Sequence, residues 1–338
     1  MAFNGTCSFA HDVLNLTSSQ QAEEILYTLT DTIIVTLVMP CIMFIGHIGN
    51  FAFLFVMFRV KSMRTVTNFY LTNLAVSDIC FLSIAVGEKV WRYKTSPVVF
   101  DQHMGTPGCI LVYLFMNMSF FASILLVTLV SLEKYSSVCR PLRHLKISGK
   151  RRTVTLILVA WFTAFCFSAL IVPGTSHRFI WCVTWPDEDT YIDYPTIITQ
   201  CRPVSEVWEI AYQGIQTIPF FLCLIINKIL YTKIIMKLHR RATQKNRSLM
   251  AQKGAAYPSH IRQRNQMAHM LISTGVIFSI CLAPFQVLSF TNMVYYAIHD
   301  SNVIQDPRIE YIVYNVFRLM VYLNSAINPI VYNATNAR

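Results

Sequence analysis

The sequence predicts an all-α membrane protein, a seven-transmembrane helix bundle with a β-hairpin in the second extracellular loop. Of the 338 residues, 54% are hydrophobic and only 13% are charged, whereas a soluble domain is about a quarter charged. Apolar runs long enough to cross a bilayer as helices recur seven times, and backbone groups in lipid must be satisfied within their own segment. The predicted spans cover residues 32–58, 69–91, 109–132, 153–173, 207–236, 268–298 and 309–333.

The basic residues predict how the chain lies in the membrane. If residues 1–31 form an extracellular tail, 21 of the 28 basic residues but only one of the 17 acidic residues fall on the opposite side. This asymmetry is typical of cytoplasmic loops, so we expect a multi-pass plasma-membrane protein with an extracellular N-terminus. Residues 32–336 then form the membrane domain, and the C-terminal tail is truncated at 338. Two sequons in the extracellular tail predict glycosylation at Asn4 and Asn15.

One carboxylate, Asp78, lies near the middle of the second span. A charge at that depth is expensive, so Asp78 is a functional-site candidate that is either bound to an ion or protonated. The alternative is a structural acid that is neutral and hydrogen-bonded. Its expected neighbours are Ser119, Ser123, Asn324, Ser325 and Asn328. Oxygen ligands around one carboxylate suit a hard monovalent cation or water, which predicts an allosteric sodium ion and no other cofactor.

The second extracellular loop has the pattern of a β-hairpin. Residues 177–183 and 196–201 are both rich in strand-forming side chains, and an acidic, turn-prone segment separates them. Four cysteines fall on the extracellular side of the predicted topology. Four cysteines allow three pairings, and the sequence alone does not choose among them. They are Cys7, Cys109, Cys182 and Cys201.

Short motifs on successive spans resemble those of the rhodopsin-like (class A) G-protein-coupled receptors, from Ile33 to Tyr332. They are Gly49-Asn50, Leu74-Ala75-Val76-Ser77-Asp78, Cys109, Glu133-Lys134-Tyr135, Trp161, Pro219, Phe278 with Cys281-Leu282-Ala283-Pro284, and Asn328-Pro329-Ile330-Val331-Tyr332. The resemblance implies a disulfide from Cys109 to Cys201, which leaves Cys182 to pair with Cys7 or to stay free. It also implies a heterotrimeric G protein as partner and a sodium pocket made by Asp78, Ser123, Asn324 and Asn328.

The resemblance further implies a set of residues that switch conformation on activation. They are Glu133, Lys134, Tyr135, Ile124, Pro219, Phe278, Pro284, Pro329 and Tyr332. Three positions depart from the family pattern. Lys134 replaces the usual arginine and loses its planar fork, which bears on coupling efficiency and basal activity. Leu282 replaces the toggle tryptophan, and Asn227 stands where the family has a tyrosine.

Three positions of the family pattern argue against an amine ligand and a retinal ligand and favour a peptide. Met116 stands where amine receptors hold an aspartate, and Tyr322 stands where visual pigments hold the retinal lysine. The seventh span resembles the peptide receptors, thyrotropin-releasing-hormone receptors in particular, and Arg318 falls where those receptors keep an arginine. The alternative for Arg318 is an internal salt bridge to Glu88.

Mixed aromatic and charged walls suit a short peptide with an amide or a carboxylate end. We call the expected contact residues the predicted ligand site, which Lys89 and Ser289 border. It comprises Glu88, Arg92, Tyr113, Met116, Asn117, Phe120, Trp208, Tyr212, Phe285, Gln286, Tyr314, Arg318 and Tyr322.

The sequence therefore predicts a receptor that binds a short neuropeptide outside the cell and activates a heterotrimeric G protein at the inner face of the lipid bilayer. The alternative is a class A receptor for a small molecule or a lipid. A transporter would show internal repeats, and the chain has no such symmetry. We expect no enzyme, because the sequence has neither a metal-binding cluster nor a nucleophile–base pair. We expect no nucleic-acid partner, because the basic residues follow the membrane topology.

Overall fold

The computed structural model describes residues 7, 10–251, 259–299, 301 and 303–336. Within these ranges it does not describe the side chains of 242–274, 307 and 332–336. Two predicted site residues are affected: Asn4 and the side chain of Tyr332 lie outside the described residues.

Within the described residues, seven long helices form the bundle, as the sequence predicts. We number them α1 (Leu29–Arg59), α2 (Val66–Thr95), α3 (Gly105–Cys139), α4 (Lys150–Ile171), α5 (Glu206–Ala251), α6 (Ser259–His299) and α7 (Pro307–Asn336). Among the described residues, α1 to α6 are long and apolar enough to cross a membrane. The 30-residue α7 has room for a crossing of about 45 Å, although it carries Arg308, Glu310 and Arg318.

The helices extend past the predicted spans because hydropathy marks only the part of a helix that lies in lipid. Helix α1 begins at Leu29, three residues before the predicted span, because Thr28 and Asp31 form a capping box there. At its end, α5 runs on to Ala251 through basic and polar residues that are good helix formers in water. Helix lengths were therefore underestimated by the apolar pattern alone.

The centre of the bundle is α3, as its sequence predicts. This helix packs against α2, α4, α5 and α6, while α7 packs against α1, α2 and α6. Close approach of α1 to its neighbours depends on Gly46, where an added Cβ would lie 2.6 Å from Leu82 Cδ1 and 3.1 Å from Ala326 Cα. One turn further, the buried Asn50 donates to the Ser325 carbonyl of α7 at 3.2 Å.

The hairpin is present and belongs to a three-stranded sheet. Strand β1 (Asp12–Asn15) pairs in parallel with β2 (His177–Thr184), which pairs antiparallel with β3 (Ile197–Arg202). We call this end of the bundle the hairpin end and the opposite end, from which Arg140 and Lys150 project, the basic end. The sequence analysis did not predict β1, because a four-residue strand has too little alternation to be recognised.

The N-terminal tail packs onto the hairpin end. A short helix, Ser19–Ile25, follows β1, and its buried Ala22 joins an apolar cluster with Val98, Val183 and Ile198. Tyr27 lies just before α1, and its ring lies edge-on to the ring of Tyr93, with the centroids 5.0 Å apart. Burial raises the pKa of the Tyr27 phenol well above its usual range, so this ring stays neutral.

Candidate functional site

Two disulfides close the hairpin end. Cys109 at the start of α3 is bonded to Cys201 of β3, with Cα atoms 5.5 Å apart, and Cys7 is bonded to Cys182 of β2, with Cα atoms 5.8 Å apart. The first pairing is the one that the resemblance implies. The second is one of the two options that were open for Cys182, and it attaches the N-terminal tail to the hairpin.

The loop between α2 and α3 holds β3 next to the first disulfide. Asp101 accepts a hydrogen bond from the Thr199 backbone N–H at 2.8 Å. Gln102 uses both ends of its amide, since Oε1 accepts from the Cys201 N–H at 2.5 Å and Nε2 donates to the Tyr113 hydroxyl at 2.6 Å. Both side chains are buried. The position of β3 over the bundle is therefore set by hydrogen bonds as well as by a covalent bond.

Within the predicted ligand site, Arg92 is already engaged with the protein. Its guanidinium donates to Glu88 at 3.0 Å and to two loop carbonyls, that of Asp101 at 3.2 Å and that of Val99 at 2.6 Å. It is 7% exposed. Arg92 thus fastens the loop to α2 in this structure, a role that the i,i+4 spacing from Glu88 could have suggested.

The structure does not contain the internal salt bridge between Arg318 and Glu88 that was the alternative to a ligand-binding role for Arg318. Both oxygens of the Glu88 carboxylate have other partners, Arg92 at 3.0 Å and Lys89 at 3.1 Å. Arg318 instead donates to the side-chain amide oxygen of Asn315 at 3.1 Å. The interpretation that set Arg318 against Glu88 is therefore wrong, because two nearer cations on α2 neutralise that acid first.

Aromatic side chains form most of the rest of the predicted ligand site. Phe81 lies between Phe120 and Tyr322, with ring centroids 6.2 Å and 5.9 Å away. Phe285 meets the ring of Tyr314 edge-on at 5.9 Å. The remaining predicted contacts, Met116, Asn117, Trp208 and Tyr212, are buried or half-buried. Aromatic faces of this kind bind apolar side chains and cations, and their hydroxyl groups orient a polar ligand.

Two buried amides near these rings lack hydrogen-bond partners among the described residues. Gln286 is fully buried, and neither its amide oxygen nor its nitrogen is paired. Asn324 is 3% exposed, and its Oδ1 is also without a partner. Since an unpaired buried amide costs about 1–3 kcal/mol, both positions favour occupation by an additional polar group.

Asp78 is fully buried and has the predicted polar neighbours. Asn328 donates to Oδ2 at 2.8 Å, and Ser123 donates to Oδ1 at 3.4 Å. Asn324 and Ser123 line a cavity of about 10 Å³, close to the space that one water molecule needs. Ser119 does not join the group, because its hydroxyl donates to the Phe115 carbonyl of its own helix. Asp78 itself does not line this cavity but is connected to it through Ser123, and the oxygen atoms beside the carboxylate are of the kind that binds a hard monovalent cation.

At the basic end, Glu133 and Lys134 are both buried. The Glu133 carboxylate lies 3.7 Å from His144, in the short helix Pro141–Ile147, and 3.9 Å from Arg152 at the start of α4. Glu133 therefore connects α3 to the following loop and to α4. Lys134 occupies the position of the family arginine, where its single ammonium group replaces a planar fork of donors.

A contact between α3, α5 and α6 was missed by the sequence analysis. Asn227 donates to Thr128 at 3.0 Å, and one turn later Tyr231 shares a hydrogen bond of 2.7 Å with Ser131. The Tyr231 ring also lies directly against Gly275 of α6, where an added Cβ would meet it at 2.2 Å. The i,i+4 spacing of two polar side chains on α5 was the available signal.

Other predicted switch residues lie in the apolar core of the bundle or are prolines inside α5, α6 and α7. Ile124 and Phe278 are buried in one apolar core, and Phe220, next to Pro219, lies 6.1 Å from the Phe278 ring. Pro219, Pro284 and Pro329 lie inside α5, α6 and α7.

Trp161 donates to Asn73 at 3.2 Å, which joins α4 to α2. Asn15 is exposed at the end of β1.

Comparison with known proteins agrees with this arrangement. Neuromedin-U receptor 2 of Mus musculus is 28% identical over 305 residues, which cover 90% of this chain and 72% of that protein. Growth hormone secretagogue receptor type 1 of Sus scrofa is 28% identical, covering 86% and 74%. Neuromedin-U receptor 1 of Homo sapiens is 27% identical, covering 100% and 80%.

Residues 49–332 match the family described as 7 transmembrane receptor (rhodopsin family). This range includes all seven helices in part or in full, and it includes the Asp78 site and the buried switch residues Ile124, Glu133, Lys134 and Phe278. The chain therefore belongs to the rhodopsin family of seven-transmembrane receptors.

Proposed function

We propose that this protein is a plasma-membrane receptor for a short peptide and that it activates a heterotrimeric G protein. The hairpin end faces the outside of the cell, because both disulfides lie there and disulfides form in oxidising compartments. The basic end faces the cytoplasm, as the positive-inside rule requires. Resemblance to thyrotropin-releasing-hormone receptors stays a prediction within this broader class.

The observation that supports a peptide is the combination of aromatic rings and charged groups under a fixed hairpin. Phe285, Tyr314 and Tyr322 supply apolar faces, and Arg318 supplies a cation that no described carboxylate neutralises. The relatives, which are named as receptors for neuromedin-U and for growth hormone secretagogues, support the same reading. A lipid would need a larger apolar wall with fewer charges.

Signalling follows from a change in the packing of α6. A ligand that contacts α6 and α7 more strongly in one conformation than in another shifts an existing equilibrium toward that conformation. Pro284 lies inside α6 between the predicted ligand site and Gly275 and removes one backbone hydrogen bond of the helix, so the two halves of α6 can change their angle. Movement of α6 away from Tyr231 would open the basic end to a G protein. The receptor performs no covalent chemistry.

The test is a screen of a neuropeptide library on cells that express the chain, with G-protein activation as the readout. We expect at least one peptide to activate it, and we expect Arg318→Ala to weaken that response because a half-buried cationic contact is lost. Arg178→Ala is the matched control, since Arg178 is exposed on β2. Activation by a lipid or metabolite alone, unaffected by Arg318→Ala, would exclude the peptide.

We also infer that Asp78, Ser123, Asn324 and Asn328 hold a sodium ion that stabilises the resting state. Sodium added in place of potassium at constant ionic strength should lower basal G-protein activation in the parent. Asp78→Asn removes the negative charge while it keeps the size of the side chain, so basal activation should then be the same in both salts. A sodium effect that persists in the variant would place the ion elsewhere.

A second test concerns Lys134. Arginine at this position restores the planar fork that makes two directed hydrogen bonds, so Lys134→Arg should change basal or stimulated G-protein activation at matched surface expression. Equal signalling by the parent and the variant would mean that the ammonium group serves as well as the guanidinium group.

A further inference from the structure

The charged groups of the predicted ligand site do not balance. Glu88 is paired with two cations at once, Lys89 at 3.1 Å and Arg92 at 3.0 Å. Arg318 adds a third cation, and its hydrogen bond goes to the neutral amide of Asn315. Among these four residues one carboxylate therefore faces three cations, which leaves them with an excess of two positive charges.

A cationic ligand is poorly suited to such a site. The Glu88 side chain is 6% exposed, and each of its oxygens already has a cation beside it. A ligand ammonium or guanidinium group could reach Glu88 only by displacing Lys89 or Arg92, and the displaced cation would then be buried without a partner. Breaking a buried ion pair in this way is strongly unfavourable. Glu88 thus serves the protein's own charges.

Arg318 is suited to an anion. Its guanidinium group lies within electrostatic range of Lys89 and of the Tyr212 and Tyr322 hydroxyls, and only one of its donors is used by Asn315. A guanidinium group binds a carboxylate through two parallel hydrogen bonds, which are stronger than bonds between neutral groups. The half-buried position of Arg318 strengthens the attraction, because water screens it less there.

We propose that the ligand has a free carboxylate and that Arg318 binds this group. Lys89 and Arg92 together carry one more positive charge than Glu88 neutralises, and this charge adds to the attraction. This inference rests on the proposed receptor function and selects between the two peptide ends that the sequence left open. An amidated end is neutral, so it would leave the excess positive charge uncompensated. A carboxylate removes half of that excess and pairs with the available donors of Arg318.

The experiment uses matched ligands on cells that express the full chain. Each peptide of the library is prepared once with a C-terminal carboxylate and once with a C-terminal amide, and small-molecule carboxylates are paired with their amides in the same way. We expect the activating compounds to be carboxylates whose amide partners are about tenfold weaker or more. Arg318→Gln should lower the potency of the carboxylates by a similar factor and leave the amides nearly unchanged.

Arg178→Gln is the control for a change of surface charge and should not alter either series. If Arg318→Gln does not reach the cell surface, Arg318→Lys replaces it and should keep the preference for carboxylates at reduced potency. Amides that are as potent as their acids, equal losses for both forms, or no response to any carboxylate would each overturn the inference. Activation by small carboxylates alone, dependent on Arg318, would support the anion site and refute the peptide receptor.

Discussion

Adding one methyl group at Gly275 should open the basic end of the bundle. In the structure, a Cβ at this position of α6 would lie 2.2 Å from Cε2 of Tyr231 and 2.5 Å from its Cζ and hydroxyl oxygen. Ordinary carbon–carbon contacts are about 3.5 Å long, so α6 and the ring must separate by about 1.3 Å. The ring has little freedom to yield, because its hydroxyl is hydrogen-bonded to Ser131 of α3 at 2.7 Å.

Two opposing terms set the size of the effect. Overpacking of this kind costs about 1–3 kcal/mol, whereas replacing glycine by alanine inside a helix stabilises it by about 1 kcal/mol. The helix term is the same whether α6 lies against α5 or has moved outward, so it cancels in the equilibrium between the two. The closed conformation therefore loses the full overpacking energy, and the equilibrium shifts by roughly 5- to 150-fold toward the open one.

The assay is basal G-protein activation by Gly275→Ala at matched surface expression, without ligand. We expect a several-fold increase over the parent. Gly87→Ala is the control, because Gly87 also lies inside a helix but an added Cβ there would meet nothing within 4 Å. It should leave signalling unchanged. In a Tyr231→Ala background the obstruction is gone, so adding Gly275→Ala should then have no further effect.

Two results would refute the reasoning. One is unchanged basal signalling by Gly275→Ala when the protein reaches the surface normally. The other is an increase of the same size with and without the Tyr231 ring, since the double-mutant cycle would then show no coupling between the two positions. In either case the contact between α5 and α6 would not be what holds the closed conformation.

Three further substitutions test the supports of the site. Gln102→Ala removes two hydrogen bonds at the hairpin end and should destabilise the purified receptor by about 1–3 kcal/mol; an unchanged melting temperature would contradict this. Cys182→Ser and Cys7→Ser each remove the disulfide that attaches the tail to the hairpin, so a glutamyl endopeptidase should cleave the helix Ser19–Ile25 faster. Equal rates in variant and parent would mean that the sheet alone holds the tail. Trp161→Phe keeps an aromatic side chain but loses the indole N–H that donates to Asn73, so the free energy of unfolding should fall by about 0.5–1.5 kcal/mol.

Much of the fold was predictable because lipid imposes a simple rule on the sequence. Stretches without charge must be helices, and the excess of basic residues distinguishes the two ends. The buried Asp78 was predictable for the same reason, since a carboxylate at that depth requires polar neighbours. Asn328 and Ser123 are indeed beside it.

The remaining features depend on which polar groups neutralise one another, and composition does not determine that. Glu88 was set only against Arg318, whereas it pairs with Arg92 and Lys89 on its own helix, at i+4 and i+1. Tyr231 was missed because the i,i+4 spacing from Asn227 was the one signal on α5, and it does not say which groups of α3 and α6 the two side chains meet. Strand β1 was missed because its partner lies more than 160 residues away, at Trp181–Thr184.

The bond between Cys7 and Cys182 has a consequence for biosynthesis. Its two cysteines are 175 residues apart, and a ribosome that adds 5–20 residues per second needs roughly 10–35 s to make that stretch. If the hairpin end faces outside, as we propose, the Cys7 thiol must remain in the secretory lumen without its partner while the four helices α1 to α4 insert. During this interval, in the proposed orientation, the Cys7 thiol is accessible to the oxidoreductases of that compartment before Cys182 is made.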